Sequence, residues 1–223
     1  MSAREPSRSR RPGSGTAEPI VMAALPHVGR SGWTLAALAA GARDLGLGRD
    51  IVRRAFPGGP ADAVRIFSDY LDREMAARLE VRGISRMRVR DRITLAVRTR
   101  LEIARPHRAA YGRTLSFLAL PGRASLAARL LWQTASTMWY TAGDTSTDFS
   151  YYTRRMLLAG VYGSTVLHWL TDESPDNAET WAFLDRRIAN VMAIPTLKPA
   201  ALAERFAPAL AKILLRTMAR GAD

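Results

Sequence analysis

The side chains best suited to specific chemistry are concentrated in one short segment of the chain, residues 139–155. The segment reads Trp-Tyr-Thr-Ala-Gly-Asp-Thr-Ser-Thr-Asp-Phe-Ser-Tyr-Tyr-Thr-Arg-Arg, so it combines aromatic rings with charges of both signs. Gly143 and the polar residues after it predict a turn followed by a helix start. Asp144 and Asp148 could act as a paired acid and base, but turn and helix-start residues beside a helix dipole explain them better.

The spacing of four side chains in this segment predicts a recognition surface. Positions i, i+3, i+4 and i+7 share one face of a helix, and here they hold Asp148, Tyr151, Tyr152 and Arg155. A face that packs on a core would carry aliphatic residues at this spacing. Tyrosine and arginine are instead enriched at the centres of protein interfaces. We therefore predict that these residues form a docking patch, with Thr147 at its edge.

The same segment resembles the signature of the coenzyme Q "nine" family, the lipid-binding accessory proteins of ubiquinone biosynthesis. Members carry a Gly-Asp-x-Ser-Thr-Asp-x-x-aromatic-Tyr-Thr-Lys/Arg-Arg segment, and residues 143–155 match it. The similarity continues through residues 158–162, 172–176 and 181–188. Many members have Trp where this chain has Tyr151.

The resemblance implies a TetR-like fold, a function and a partner. It implies a protein that is not an enzyme, that binds isoprenoid quinone precursors, and that presents them to a di-iron demethoxyubiquinone hydroxylase. Family members use the positions matching the predicted docking patch to bind this hydroxylase. The same positions here are Thr147, Asp148, Tyr151, Tyr152 and Arg155.

A lipid site is expected where the next predicted helix, residues 147–170, meets the helix before it. Beyond its first two turns this helix is apolar on nearly every side, with small residues on one flank. Space beside bulky apolar side chains would suit an isoprenoid tail, whereas the alternative is that these residues only pack the core. The predicted lipid contacts are Leu131, Met138, Trp139, Met156, Leu157, Gly160, Val161 and Ser164.

Residues 199–219 predict an amphipathic helix that binds an anionic membrane surface. The alternative is a last helix packed on its own domain. A position after Pro195 and Pro199, a mainly basic polar face and bulky apolar residues opposite it favour the membrane. The predicted membrane contacts are Leu202, Arg205, Phe206, Leu210, Lys212, Ile213, Leu214 and Arg216.

Helical periodicity throughout the chain predicts an all-α, TetR-like fold of about nine to ten helices. Glycine and proline mark the breaks between them. The helices are expected near 17–29, 34–45, 49–56, 60–82, 86–104, 107–119, 122–142, 147–170, 175–193 and 199–219. The domain boundaries then follow as a disordered tail (1–16), a helix-turn-helix-like unit (17–59), a lipid-binding domain (60–194), and a linker with the membrane helix (195–223).

The N-terminal helices leave a TetR-like DNA-binding regulator as the alternative function. Residues 34–45 and 49–56 would form the helix-turn-helix, but the unit is about three residues longer than usual, and groove docking depends on fixed geometry. Arg49, Arg53 and Arg54 could contact phosphate, yet no Asn or Gln is placed to read base edges. DNA binding is therefore not expected.

Composition excludes several kinds of site. Among 223 residues there is no Cys, which excludes disulfides, thiolate zinc sites and a cysteine nucleophile. His27, His107 and His168 lack metal-ligand spacing, and no phosphate-binding glycine loop or nucleophile elbow is present. We expect no metal and no cofactor, only a bound isoprenoid lipid or quinone. The net charge of +13 favours an anionic partner.

Location and assembly are also predicted. No apolar run is long enough to span a membrane and no signal peptide is visible. The basic charge is nearly all Arg and Ala is abundant, as in the products of GC-rich genomes. We predict a cytoplasmic protein, peripheral on the inner membrane of a bacterium, with the mitochondrial matrix as the alternative. A homodimer is predicted through a stripe that could equally seal the monomer core: Trp181, Leu184, Ile188, Val191 and Met192.

Overall fold

The chain folds as a helical bundle, as predicted. The computed structural model describes residues 14–48, 50–144 and 149–192, which contain no strand. Their nine α-helices are α1 (Ser14–Ser31), α2 (Leu35–Asp44), α3 (Asp50–Ala55), α4 (Pro60–Arg82), α5 (Val89–Ala104), α6 (Arg108–Leu118), α7 (Ala124–Thr141), α8 (Phe149–Thr171) and α9 (Ala178–Met192). The predicted tail is slightly too long, because Ser14 already begins α1. The predicted helix 199–219 lies outside the described residues.

The first three helices form the predicted helix-turn-helix-like unit. Thr34 caps α2, since its hydroxyl oxygen accepts a hydrogen bond from the Ala37 backbone at 3.1 Å. Gly41 lets α1 and α2 approach closely, because a Cβ there would lie 2.5 Å from the Ala24 backbone nitrogen. Helix α1 packs along α4, where Arg73 donates a hydrogen bond to Glu18 at 2.7 Å, and the 23 residues of α4 span about 34 Å.

The far end of α4 meets the corner between α7 and α8. Arg92, near the start of α5, donates hydrogen bonds to the Met87 and Ala142 carbonyl oxygens, each at 2.8 Å. It also donates to the Ser85 carbonyl oxygen. The α4–α5 turn and the α7–α8 corner therefore lie side by side at the end of the bundle remote from α1–α3.

A buried polar network ties the central helices together. Arg100 is 2% exposed, and its Nε donates to the Asp72 carboxylate at 2.6 Å. Its Nη1 donates to the hydroxyls of Tyr111 and Tyr162, and Thr134 donates to Asp72 at 3.1 Å. Burial lowers the pKa of Arg100, but Asp72 and the two tyrosines outweigh it and hold the pKa above its ordinary value. The guanidinium therefore stays charged at the junction of α4, α5, α6, α7 and α8.

Asp172 fixes the turn between α8 and α9. Its carboxylate accepts hydrogen bonds from the backbone nitrogens of Ser174 and Thr180, each at 2.8 Å. Burial raises the pKa of Asp172, but these hydrogen bonds lower it by more, so its pKa lies far below the ordinary value. A charged carboxylate thus caps the first turn of α9.

The apolar stripe of α9 faces the interior of the chain. Leu184 and Ile188 are buried in the core, at 1% and 3% exposure. The sequence left open whether this stripe forms a dimer surface or seals the monomer core. Leu184 and Ile188 seal the core, so they are not available as a dimer surface. The homodimer stays a prediction without an assigned interface.

We expect Asp72→Asn to destabilise the fold by about 3–5 kcal/mol, because it leaves the buried Arg100 charge without its counter-ion. Urea unfolding monitored by circular dichroism measures the loss. The matched control is Glu102→Gln, which removes an exposed ion pair to Arg98 at 2.8 Å and should cost at most about 1 kcal/mol. Equal losses in the two variants would contradict a structural role for the buried pair.

Candidate functional site

An apolar cavity of about 350 Å³ lies beside the buried Arg100 network. This volume falls at the small end of the range of ligand pockets in proteins. Its walls come from α4, α6, α7 and α8 and include Phe67, Leu71, Leu115, Leu118, Leu130, Leu131, Val166 and Leu167. Its floor is polar, with contributions from Ser68, Arg100, Tyr111, Thr114, Thr134 and Tyr162. The cavity can therefore hold a mostly apolar molecule that carries a polar group.

The floor offers one hydrogen-bond donor that the chain does not use. The hydroxyls of Tyr111 and Tyr162 are hydrogen-bonded to each other, and Arg100 donates to both. A neutral phenol carries one O–H donor, and burial raises the pKa of Tyr162 well above its ordinary value. One proton fills the bond between the tyrosines, and the other has no acceptor among the residues that the structure describes. That O–H can donate to an oxygen of a ligand.

The predicted lipid contacts stay a prediction, and most of them lie away from this cavity. Of the predicted set only Leu131 lines the cavity. Met138, Trp139 and Val161 are buried in the core, while Met156 and Gly160 are exposed. Leu157 and Ser164 are partly exposed and do not line the cavity either.

The predicted contacts and the cavity lining differ in the flank of α8 that they use. Helix α8 turns a different flank toward the cavity, formed by Tyr162, Gly163, Val166 and Leu167. Because α8 is apolar on nearly every side, its pattern does not mark which flank borders open space.

Three aromatic rings cluster at the predicted docking patch, with Tyr152 exposed and Tyr151 and Trp132 half-buried. Tyr152 is 58% exposed and stacks on Trp132 of α7, with ring centroids 6.0 Å apart. Tyr151 meets Tyr152 edge to face at 5.1 Å. Trp132 was not predicted to belong to the patch, since sequence spacing relates residues within one helix and this contact joins two. Thr147 and Asp148 lie outside the described residues.

Arg155 lies beneath these rings rather than among the exposed residues. It is 3% exposed, and its Nη1 donates to Asp144 and to the Tyr151 carbonyl oxygen, both at 3.1 Å. Its guanidinium also lies 3.4 Å from the centre of the Tyr151 ring. Tyr151, Tyr152 and Arg155 therefore lie close together, but Arg155 is buried while Tyr152 is exposed. Arg155 can support the patch from within, and it is not placed to touch a partner directly.

The docking patch and the cavity lie along the same side of α8. Tyr152 and Gly163 are separated by about three helical turns, which places them about 16 Å apart along the axis with little rotation between them. On α7, Trp132 of the patch directly follows Leu131 of the cavity wall. Met156, at 67% exposure, lies on the surface between the two sites. A molecule leaving the cavity along this side would reach the patch.

Comparison with known proteins identifies the family. The sequence model of the COQ9 family matches residues 124–195. The mitochondrial ubiquinone biosynthesis protein COQ9 of Rattus norvegicus is 37% identical over 180 residues, covering 78% of this chain and 57% of the rat protein. The Homo sapiens protein of the same name is 36% identical, covering 78% of this chain and 56% of its own. The chain belongs to the COQ9 family. It spans a little over half the length of these relatives.

A solved structure confirms the TetR-like fold of this COQ9 chain. A TetR transcriptional regulator from Nitrosomonas europaea superposes with a TM-score of 0.65, covering 80% of this chain and 98% of the regulator. The two sequences are only 18% identical, so the likeness concerns the fold alone.

The COQ9 relatives correct the predicted location. They are named as mitochondrial proteins, which contradicts a cytoplasmic protein on the inner membrane of a bacterium. That prediction is wrong because it used arginine and alanine content, which follows codon usage and carries no targeting signal.

The described part of the chain shows neither a membrane-spanning helix nor a metal cluster. None of the helices there has the length and apolar character needed to cross a bilayer. The same residues contain no cluster of three or more acidic or histidine side chains suited to a metal ion. All the residues predicted to bind the membrane, from 202 to 216, fall outside this part of the chain.

Proposed function

We propose that this COQ9 chain is a non-catalytic accessory protein of ubiquinone biosynthesis that binds isoprenoid quinone precursors and presents them to the demethoxyubiquinone hydroxylase. One observation carries the proposal. An apolar cavity with a polar floor lies on the same side of α8 as an exposed aromatic patch. A lipid and an enzyme can therefore meet along one helix.

The cavity supports the lipid part of the proposal. Its walls are aliphatic and aromatic, which suits isoprene units. Asp72 balances the charge of Arg100, so the floor offers hydrogen bonds without a net positive charge. An uncharged head group with acceptor oxygens, such as a quinone, fits this floor better than a phosphate. A long isoprenoid chain exceeds the enclosed volume and would extend along the side of α8.

The aromatic patch supports the partner part. Tyrosine and tryptophan at a surface, whether exposed like Tyr152 or half-buried like Trp132, are residue types that anchor protein interfaces. Tyr152 and Trp132 supply such anchors, and Met156 beside them adds an adaptable apolar contact. Arg155 and Asp144 hold the base of the patch in place.

The proposal also includes binding to a membrane surface and a location in the cell. A polyprenyl quinone resides in a bilayer, and residues 199–219 have the amphipathic pattern of a helix that binds an anionic membrane surface. A mitochondrial location is proposed because the curated relatives are named as mitochondrial.

We expect Gly163→Leu to reduce the amount of isoprenoid lipid that co-purifies with the protein, because the new side chain enters the cavity. Mass spectrometry of extracted lipids measures the occupancy. The matched control is Gly160→Leu, one turn earlier and outside the cavity. A Cβ at either glycine meets no atom within 4 Å, so both variants should fold. Equal lipid content in the two variants would refute the cavity as the lipid site. In a separate DNA-binding assay, sequence-selective binding of duplex DNA by the wild-type protein would favour a TetR-like regulator instead.

We expect Tyr152→Ala to weaken hydroxylase binding by about 30-fold or more, the cost of losing an interface hot spot. Surface plasmon resonance with the immobilised hydroxylase gives the affinity. Tyr140→Ala is the control, since Tyr140 is 77% exposed and lies outside the ring cluster. The melting temperature should be nearly unchanged in both. The assignment fails if Tyr152→Ala binds as tightly as Tyr140→Ala.

A further inference from the structure

We propose that the turn between α4 and α5, residues 81–90, is a contact site for anionic phospholipid headgroups. We call this segment the arginine turn. Its function would be to hold the neighbouring docking patch at the bilayer surface, in addition to any membrane contact made by residues 199–219. The inference goes beyond the proposed lipid cavity, because it concerns the membrane surface rather than the bound quinone.

The arginine turn is strongly basic, and although Glu80 and Asp91 flank it in the sequence, neither forms an ion pair with its arginines. The segment reads Val-Arg-Gly-Ile-Ser-Arg-Met-Arg-Val-Arg, with four arginines and no acidic residue. All four are exposed, and none makes an ion pair with any described residue. Four unpaired guanidinium groups within ten residues are suited to phosphate groups.

Exposed apolar side chains favour a membrane over an acidic protein. Val81 is 91% exposed and Val89 is 46% exposed, and both lie next to arginines in the sequence. Exposed valines have little use on a purely electrostatic surface. At a bilayer they can enter the boundary between headgroups and acyl chains while the arginines remain at the phosphates.

The arginine turn is firmly joined to the docking patch. The Arg92 guanidinium donates a hydrogen bond to the carbonyl oxygen of Met87, within the turn, and another to that of Ala142, at the end of α7, each at 2.8 Å. Asp144, two residues after Ala142, is the ion-pair partner of Arg155 beneath the tyrosines. A membrane that binds the turn therefore fixes the orientation of the patch.

The end of α9 reaches the same region. Helices α5 and α9 run antiparallel, since Arg105 meets Asp176 at 3.5 Å while Arg98 lies 4.8 Å from the Trp181 ring. The end of α9 therefore approaches the start of α5. The chain leaves the described part after Met192 at this end, and residues 193–223, with the predicted membrane helix, follow.

The test uses the full chain with vesicles of phosphatidylcholine alone or with one third phosphatidylglycerol. Arg86→Gln combined with Arg88→Gln should weaken binding to the anionic vesicles about tenfold or more at low salt, given the contribution of each basic residue near such a surface. High salt should reduce this difference, because it screens the charges. The control, Arg53→Gln with Arg54→Gln, removes the same charge from exposed positions on α3 and should change binding less than about twofold.

Three results would overturn the proposal. One is an equal loss in both double variants, which would show a general effect of net charge. Another is unchanged vesicle binding by the Arg86 and Arg88 variant. The third is reduced hydroxylase affinity in solution with vesicle binding intact, which would assign the turn to an acidic protein surface. Co-purified isoprenoid should stay at the wild-type level in both variants, so failure here is distinct from failure of the cavity.

Discussion

The buried ion pair between Arg100 and Asp72 is the constraint on which the rest of the structure depends. A charge in the core is tolerated only when its partners surround it, so the pair fixes the helices that supply those partners. Asp72 comes from α4, Tyr111 from α6 and Tyr162 from α8. Their polar groups meet at one point and leave apolar space beside them. The same buried network around Arg100 therefore accounts for both the cavity and its polar floor.

Helix α8 is central to the proposed function because it borders both the docking patch and the cavity. One end supports the docking patch through a second nearly buried ion pair, Arg155 with Asp144. About two turns after Arg155, Gly163 leaves the cavity open, since no atom beyond its own stretch of helix would lie within 4 Å of a Cβ there. A single straight helix keeps the distance between the two sites constant, which suits the transfer of a bound lipid to an enzyme.

The sequence predicted the helices well where local signals mark their ends. The predicted bounds of α4 are correct because Pro60 begins it and Gly83, in the left-handed region, ends it. Contacts between helices could not be predicted in the same way. The burial of Arg155 depends on Asp144 across a turn, and the patch residue Trp132 comes from a different helix. The cavity flank of α8 was missed because every flank is apolar.

The most direct test of the account is photo-crosslinking with an isoprenoid quinone that carries a diazirine on its tail, followed by peptide mapping. The account predicts adducts on the cavity wall, at residues such as Leu131, Val166 and Leu167. Adducts confined to Leu157 and Ser164, on the other flank of α8, would contradict it. They would show that the lipid binds where the sequence pattern first indicated and that the cavity beside Arg100 is only a packing defect.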